Sequence, residues 1–272
     1  MLKLQSHHIT DLYVLVDDII PKEEKKTAGR PCKMSDSELV TVLVWSSLTT
    51  KQKTIKDIHN WLLLYHQNDF KKISHYSAFV DHCLRLIPLL IFVIKTLLLD
   101  ETSIRFMDST MLEVCKLQRA DDHKVCKGLA KFGKNWQGWH FGFKLHASID
   151  FKGRFCGLAI SPANEHDSRA EPYLLNKYTK VAVGDTSYGG KAMNEHIFEQ
   201  YGTIVIAPPH PKQDKKLLSK LQQFLLEMRS KIECAFDYLK NHLNLVSSFP
   251  RSPKGYLFHW LRIILGYQIA TI

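Results

Sequence analysis

The hydrophobic pattern of this chain changes period once, near residue 103. Upstream, apolar residues recur at helical spacing. Ser35 and Glu38 have the spacing of a capping box ahead of LVTVLVWSSL, Thr54 stands before IKDIHNWLLLYH, and Ser74 or Ser77 is placed to open a long helix ending near Leu99. The charged segment PKEEKKTAGRPCK, with Gly29-Arg30-Pro31, reads as a loop or arm. Downstream, SIRFMDST, HFGFKLHASID, GRFCGLAISP, KVAVGD and TIVIAPP are short β-branched and aromatic runs bounded by turn residues, and predict five strands. FKG, after Asp150, supplies a hairpin turn between the second and third. Helices are expected near 167–177 and 190–201 and from about Asp214 to Leu243, giving the order β-β-β-α-β-α-β-α. A helical domain over 1–100 followed by an α/β domain over 101–272 is the division this predicts.

The last of these helices carries a long apolar stripe: Leu221, Leu225, Met228, Ile232, Phe236, Leu239 and Leu243. Arg229, Glu233 and Lys240 lie one position beyond it and, at ~100° per residue, project to one edge of a buried face. On this helix alone, Arg229 with Glu233 reads as an ordinary i,i+4 ion pair and Lys240 as a surface lysine.

Charge changes the picture. Lysines and arginines give the 272-residue chain a net charge of +10, which favours a polyanionic partner, above all nucleic acid. Six cysteines without a C-x-x-C pair argue against both a zinc site and a disulfide framework, and point to reduced thiols. His7-His8 reads as a solvated terminus. Asp11, Asp17 and Asp18 occupy the place of a signal peptide's apolar core, and LRLIPLLIFVIKTLLL, broken by Pro88 and Lys95, is too short to span a bilayer; it is expected to be a buried helix of a soluble protein.

Candidate chemistry rests on three acids. Asp108 lies in the first strand run, Asp185 at the end of the fourth, and Glu233 within the last helix. Clustered carboxylates raise one another's pKa unless a cation neutralises them, and hard oxygen donors suit Mg²⁺ or Mn²⁺ better than zinc. Asp167 is expected as a helix N-cap or a supporting acid, Asp121-Asp122 as solvated, and Glu113 as lying off the site. Lys144 and His146 alternate with Leu145 on the second strand, where either an approach to the site or a sheet-surface role fits.

The layout Asp, Asp, Glu, with R-x₃-E-x₆-K formed by Arg229, Glu233 and Lys240, resembles the signature of DDE transposases of bacterial insertion sequences. KGLAKFGKNWQGWHFGFKLHASID, SPANEHDSRA, GDTSYGG and the earlier GRPCKMSDSEL look most like the insertion sequence 982 family. The resemblance covers most of the chain. It implies a ribonuclease H-like, mixed five-stranded sheet flanked by helices, behind a helical N-terminal domain that includes a helix-turn-helix. It also implies metal-dependent hydrolysis at element ends and strand transfer by the freed 3′-OH into target DNA. Asp108, Asp185 and Glu233 carry over as catalytic ligands of two Mg²⁺ ions, with Mn²⁺ able to substitute, and Arg229 and Lys240 as partners that orient the glutamate or touch DNA. Two departures stand out: Leu226 occupies the motif's tyrosine position, and Thr186-Ser187-Tyr188 replaces the frequent Lys-Gly-Tyr.

DNA contact is expected between Lys116 and Lys144, where Lys124, Lys127, Lys131 and Lys134 accompany Trp136 and Trp139. This loop leaves the strand of Asp108 and would hold phosphate near the chemistry. The competing reading is a solvated loop whose tryptophans pack into the core. Implied partners are double-stranded DNA, as terminal inverted repeats and target, and a second copy of the chain on that DNA. The expected location is the bacterial cytoplasm, nucleoid-associated. A decayed or domesticated DNA-binding copy, or a structure-selective nuclease on the same fold, are the alternatives.

Overall fold

The computed structural model describes residues 9–22, 32–50, 52–70, 72–208 and 218–272. His7-His8, Gly29-Arg30-Pro31 with most of its charged segment, and the start expected near Asp214 for the last sheet-domain helix lie outside them. The chain divides into two compact units, Met1–Leu97 with Leu239–Ile272, and Leu98–Tyr238.

The first unit opens with α1 (Ile9–Ile19), α2 (Asp36–Thr49), α3 (Ile55–Tyr65), α4 (Tyr76–Arg85) and α5 (Ile87–Thr96). The expected capping box at Ser35 forms, and Thr54 caps α3 through a second box with Asp57. Ser35 accepts from the Glu38 N–H at 3.1 Å while Glu38 accepts from the Ser35 N–H, and Thr54 does the same with Asp57. Neither Ser74 nor Ser77 caps; His75 occupies the N-cap of α4 without a side-chain bond. The expected long helix is instead two, bent by 46° at Leu86. Pro88, in the first turn of α5, has no N–H to continue the ladder, so the helix axis breaks just before it. No single helix among the described residues is long and apolar enough to cross a membrane; α4 and α5 together pass by length and composition, but bury Phe79, Leu90, Val93 and Ile94.

The second unit is built on a six-stranded sheet. Its elements are β1 (Ile104–Glu113), β2 (Lys131–Asn135), β3 (Gly138–Ile149), β4 (Phe155–Pro162), α6 (Glu171–Leu174), β5 (Val181–Val183), α7 (Lys191–Tyr201), β6 (Ile204–Ile206), α8 (Lys220–Met228) and α9 (Ser230–Asp237). Across the sheet the order is β4-β3-β1-β5-β6, antiparallel through β1 and parallel beyond it, with β2 paired to β3 as an addition. This is a ribonuclease H-like mixed sheet. Met107, Ala182 and Tyr188 pack with Leu174 of α6 and Ile197 of α7, while α9 packs on β1.

The sixth strand was hidden because KFGKN is lysine-rich and its Lys131, Phe132 and Lys134 are exposed. Between them, buried Gly133 lies so close to Ala163 that an added Cβ would stand 2.2 Å from its carbonyl oxygen. Backbone proximity, which hydrophobic alternation does not report, specifies this strand.

The expected single helix to Leu243 is also divided. Arg229 and Ile232 N–H groups bond three residues back, to Leu226 and Arg229, tightening the helix between α8 and α9, and a π-helical turn comes next, over Tyr238–His242. The final helix, α10 (Pro253–Thr271), is buried nearly all round and packs on α2 and α5. Arg262 reaches Ser47 Oγ at 3.1 Å, and Gln268 reaches the Ile94 carbonyl at 3.1 Å. The expected 101–272 domain is therefore shortened: residues from Leu239 onward belong with the N-terminal helices.

Candidate active site

Asp108 and Asp185 become neighbours through strand register. β1 and β5 run parallel with Phe106 opposite Val183, and each acid lies two residues beyond that pair, at the same end of adjacent strands. Asp185 caps a 3-10 turn, Thr186–Tyr188, accepting from the Ser187 N–H at 2.9 Å and from the Ser187 hydroxyl. Asp108 accepts from the Ser109 N–H at 2.8 Å and from Arg229 Nη1 at 3.2 Å.

Arg229 brings in the third acid. Its Nη2 donates to Glu233 Oε1 at 2.8 Å, so one guanidinium bridges two carboxylates 125 residues apart in sequence, 233 − 108. The ion pair expected within the helix exists, but it is half of a three-group bridge. Ile232 and Phe236, buried from the stripe, hold α9 down, whereas Leu221 at the head of the stripe is exposed. Burial pushes the Asp108 carboxyl up to about 6; Ser109 and Arg229 oppose this, while Asp185 and Glu233 add to it. Glu233 itself is half exposed. Among the described residues no three His, Cys, Asp or Glu side chains close into a metal cage, since Arg229 stands between Asp108 and Glu233. The donor set still fits a hard divalent cation: oxygen ligands only, with more negative charge than the single guanidinium offsets.

Residues 99–253, more than half of the chain, match the family described as Transposase DDE domain. The chain belongs to the DDE transposase family. No solved structure matches it. Membership implies an enzyme that cleaves and transfers DNA, in a family that generally depends on divalent metal.

A second cluster in the DDE domain lies on the other face of the sheet. Asp108 pairs with Ala147, so Lys144 and His146, paired with Met111 and Ser109, point the opposite way. There Lys144 Nζ stands 2.8 Å from Asp167 Oδ1, and His146 Nδ1 3.7 Å from the same oxygen. Burial lowers His146 to about 4, so its ring is neutral at physiological pH. Ser187 Oγ joins the clusters, lying 3.4 Å from Asp167 Oδ2 while it also bonds Asp185. Asp167 bonds Lys144 and Ser187 but does not cap; the side chain of His166 accepts the capping bond from Ser168. Ser187 is the residue that sequence reasoning passed over. Its signal was the replacement of the family's glycine by serine beside the second acid.

Lys240 sits in the π turn, where the step per residue is smaller than the α-helical ~100°. Its placement belongs to the helical unit. Lys124, Lys127, Lys131 and Lys134 are all exposed. Trp136, on the two-residue turn between β2 and β3, is 91% exposed and Trp139 56%, so the tryptophans do not pack in the core. Lys134 stacks over Trp139 at 5.8 Å. Along β3, the partner of Lys131, Gly142, lies five residues from Ala147, the partner of Asp108, and the partner of Lys134, Trp139, lies eight, so these two lysines stand roughly 17 and 26 Å along the sheet from it at about 3.3 Å per residue.

Proposed function

We propose that this chain is a DNA transposase whose Asp108, Asp185 and Glu233 hold the catalytic divalent cations, Mg²⁺ with Mn²⁺ as a substitute, for hydrolysis at element ends and 3′-OH strand transfer into target DNA. The observation that carries this reading is the Arg229 bridge from Asp108 to Glu233, beside an Asp185 that the β1–β5 register places next to Asp108. When bound, the cations supply activation of the attacking hydroxyl and stabilisation of the leaving 3′-oxygen. The chain's own groups do the positioning. Arg229 keeps Asp108 and Glu233 at one point, and its remaining N–H donors suit a scissile phosphate oxygen. Ser187 fixes the Asp185 carboxylate with two hydrogen bonds, one from its backbone and one from its hydroxyl.

The exposed lysines Lys124, Lys127, Lys131 and Lys134 would hold duplex DNA, with Lys131 and Lys134 roughly 17–26 Å along the sheet from the cut. Exposed Trp136 and Trp139 add aromatic faces to that surface. Lys240 is assigned to DNA contact by motif alone. Terminal inverted repeats of the element, a dimer or higher assembly on them, membership of the insertion sequence 982 group, and a nucleoid-associated location complete the reading.

The test is Mg²⁺-dependent strand transfer using DNA from the gene's own flanks. Wild type should join a 3′-OH to target, and Asp185→Ala and Glu233→Gln should not. Joining that survives Asp185→Ala would sink the assigned site. Cutting without joining would favour a nuclease, and binding without cutting a decayed copy.

A further inference from the structure

We propose that a basic cavity in the helical unit binds the phosphate of a nucleotide, with a DNA strand as its occupant. The cavity, of about 230 Å³, is lined by Lys53, Lys56, Arg251 and Arg262 and by the rings of Tyr76 and Phe249, and among the described residues no aspartate or glutamate stands in its wall. Two helices begin at it: Thr54 caps the 11-residue α3 and Ser252 the 19-residue α10, and both line the cavity. The α3 end already carries the Asp57 carboxylate, bonded to the Thr54 N–H, but the α10 end is capped by a neutral serine, so its partial positive charge favours the same sign of ligand as the basic side chains do.

Arg262 is the independent sign that an anion belongs here. It is 1% exposed, and its guanidinium donates to Ser47 Oγ at 3.1 Å, the Gln52 carbonyl at 2.9 Å, the Lys53 carbonyl at 3.4 Å and His259 Nδ1 at 3.3 Å, all neutral acceptors. Burial lowers its pKa only to about 10, so it is charged at neutral pH. His259, lowered to about 3 chiefly by burial, adds no charge of its own. A buried cation is costly without a counter-charge, and among the described residues none lines the cavity. Lys53, Lys56 and Arg251 are at the rim, where they can meet a phosphate arriving from solvent. Tyr76 and Phe249, 44% and 50% exposed, offer faces to a ring. The volume suits one phosphate with its sugar rather than a duplex. That the nucleotide belongs to DNA rests on the transposase reading; the preference for phosphate does not.

The test uses the full chain at matched ionic strength. Thermal unfolding is followed with inorganic phosphate, thymidine 5′-monophosphate and thymidine, and binding of a fluorescein-labelled single strand and duplex by anisotropy against salt. The variants are Lys53→Ala with Lys56→Ala, and Arg251→Ala, against a control double, Lys72→Ala with Lys95→Ala. Phosphate and the monophosphate should raise the melting temperature of the wild type and of the control double, and thymidine should not. The cavity variants should lose that response, bind DNA about 10-fold more weakly, and flatten the salt dependence by ~0.7–0.9 for each phosphate no longer neutralised. An equal phosphate response in the cavity variants overturns the site, as does DNA binding no weaker than that of the control double. A phosphate response with unchanged DNA binding overturns the DNA strand as occupant. Strand transfer by the wild type, run alongside, separates the two readings: an active enzyme with no phosphate response defeats this site and leaves the catalytic assignment standing.

Discussion

The two faces of β1 carry acid clusters of opposite character. On the α9 face, Asp108 and Glu233 share one guanidinium, and Asp185 adds a third carboxylate at the neighbouring strand end. On the other face, Asp167 is met by Lys144 at 2.8 Å, and the nearby His146 is neutral. The second cluster is balanced as it stands, so nothing in it calls for another cation. The first has more acid than base, and Asp108, raised to about 6 chiefly by burial, is raised further by Asp185 and Glu233. An excess of carboxylate marks the face fit for metal, and a balanced pair marks the support. Ser187, bonded to acids from both, is the hinge of the comparison.

The largest expected effect separates the two by activity and stability together. Asp108→Asn should lower strand transfer by at least ~10³-fold, about 4 kcal/mol of barrier. Because it also removes charge from a crowded site, melting in metal-free buffer should stay level or rise. Asp167→Asn should do the reverse, retaining measurable transfer while lowering stability by about 1–3 kcal/mol, since it leaves a largely buried Lys144 unpaired. Calorimetry of the two variants beside a strand-transfer assay checks both. A destabilised Asp108→Asn or an inactive but stable Asp167→Asn would invert the comparison.

How much of this was legible depended on how local each cause is. The capping box at Ser35 and the cap at Thr54 are three-residue events, and they form as read. The Arg229–Glu233 pair, one helical turn apart, was legible for the same reason. Its other half, Arg229 to Asp108, crosses 121 residues and exists only because α9 packs on β1. The resemblance supplied that juxtaposition; periodicity could not. The π turn that holds Lys240 was not legible, because the stripe through Leu239 and Leu243 reads as continuous α-helix. β2 went unread because an exposed, lysine-rich strand has no apolar alternation, and α10 because a helix apolar all round has no stripe to find.

A third acid tests whether the supporting face is balanced at every pH. Glu171, fully buried, has both carboxylate oxygens without a hydrogen-bond partner, and burial raises it to about 8. It is therefore neutral near pH 7, which is why this side tolerates it. For a carboxyl whose folded pKa is raised, the folded state holds its proton more tightly than the unfolded chain does. Stability is then full below about 4.5 and falls as pH rises toward 8, by a few kcal/mol in total. Unfolding in urea across pH 5 to 9 should show that decline, and Glu171→Gln should flatten it. The slope is the readout, because the exchange removes the titration whatever it does to packing. A wild-type curve that stays flat from pH 5 to 8 would mean that the carboxyl has found a partner.

The smallest effect sharpens the contrast most directly, because it asks for a cation without asking for catalysis. A ligand that binds only the folded state stabilises it by RT ln(1 + [L]/Kd), roughly 1.4 kcal/mol at ten times Kd. Mg²⁺ or Mn²⁺, titrated at constant ionic strength, should raise the wild-type melting temperature by the few degrees this represents, and EDTA should reverse it. Asp108→Asn and Asp185→Asn each remove a hard oxygen charge from the crowded face and should lose the shift. Asp167→Asn should keep it in full despite its lower starting stability, because its carboxylate is already committed to Lys144. Arg229→Gln is the informative fourth variant. If the guanidinium stands in for a cation, removing it leaves Asp108 and Glu233 with only each other's repulsion, so the metal-free protein should be less stable and the metal shift larger. A shift lost equally in Asp167→Asn and Asp108→Asn would place the metal between the faces, with Ser187 at its centre, and would end the division into a metal face and a supporting one.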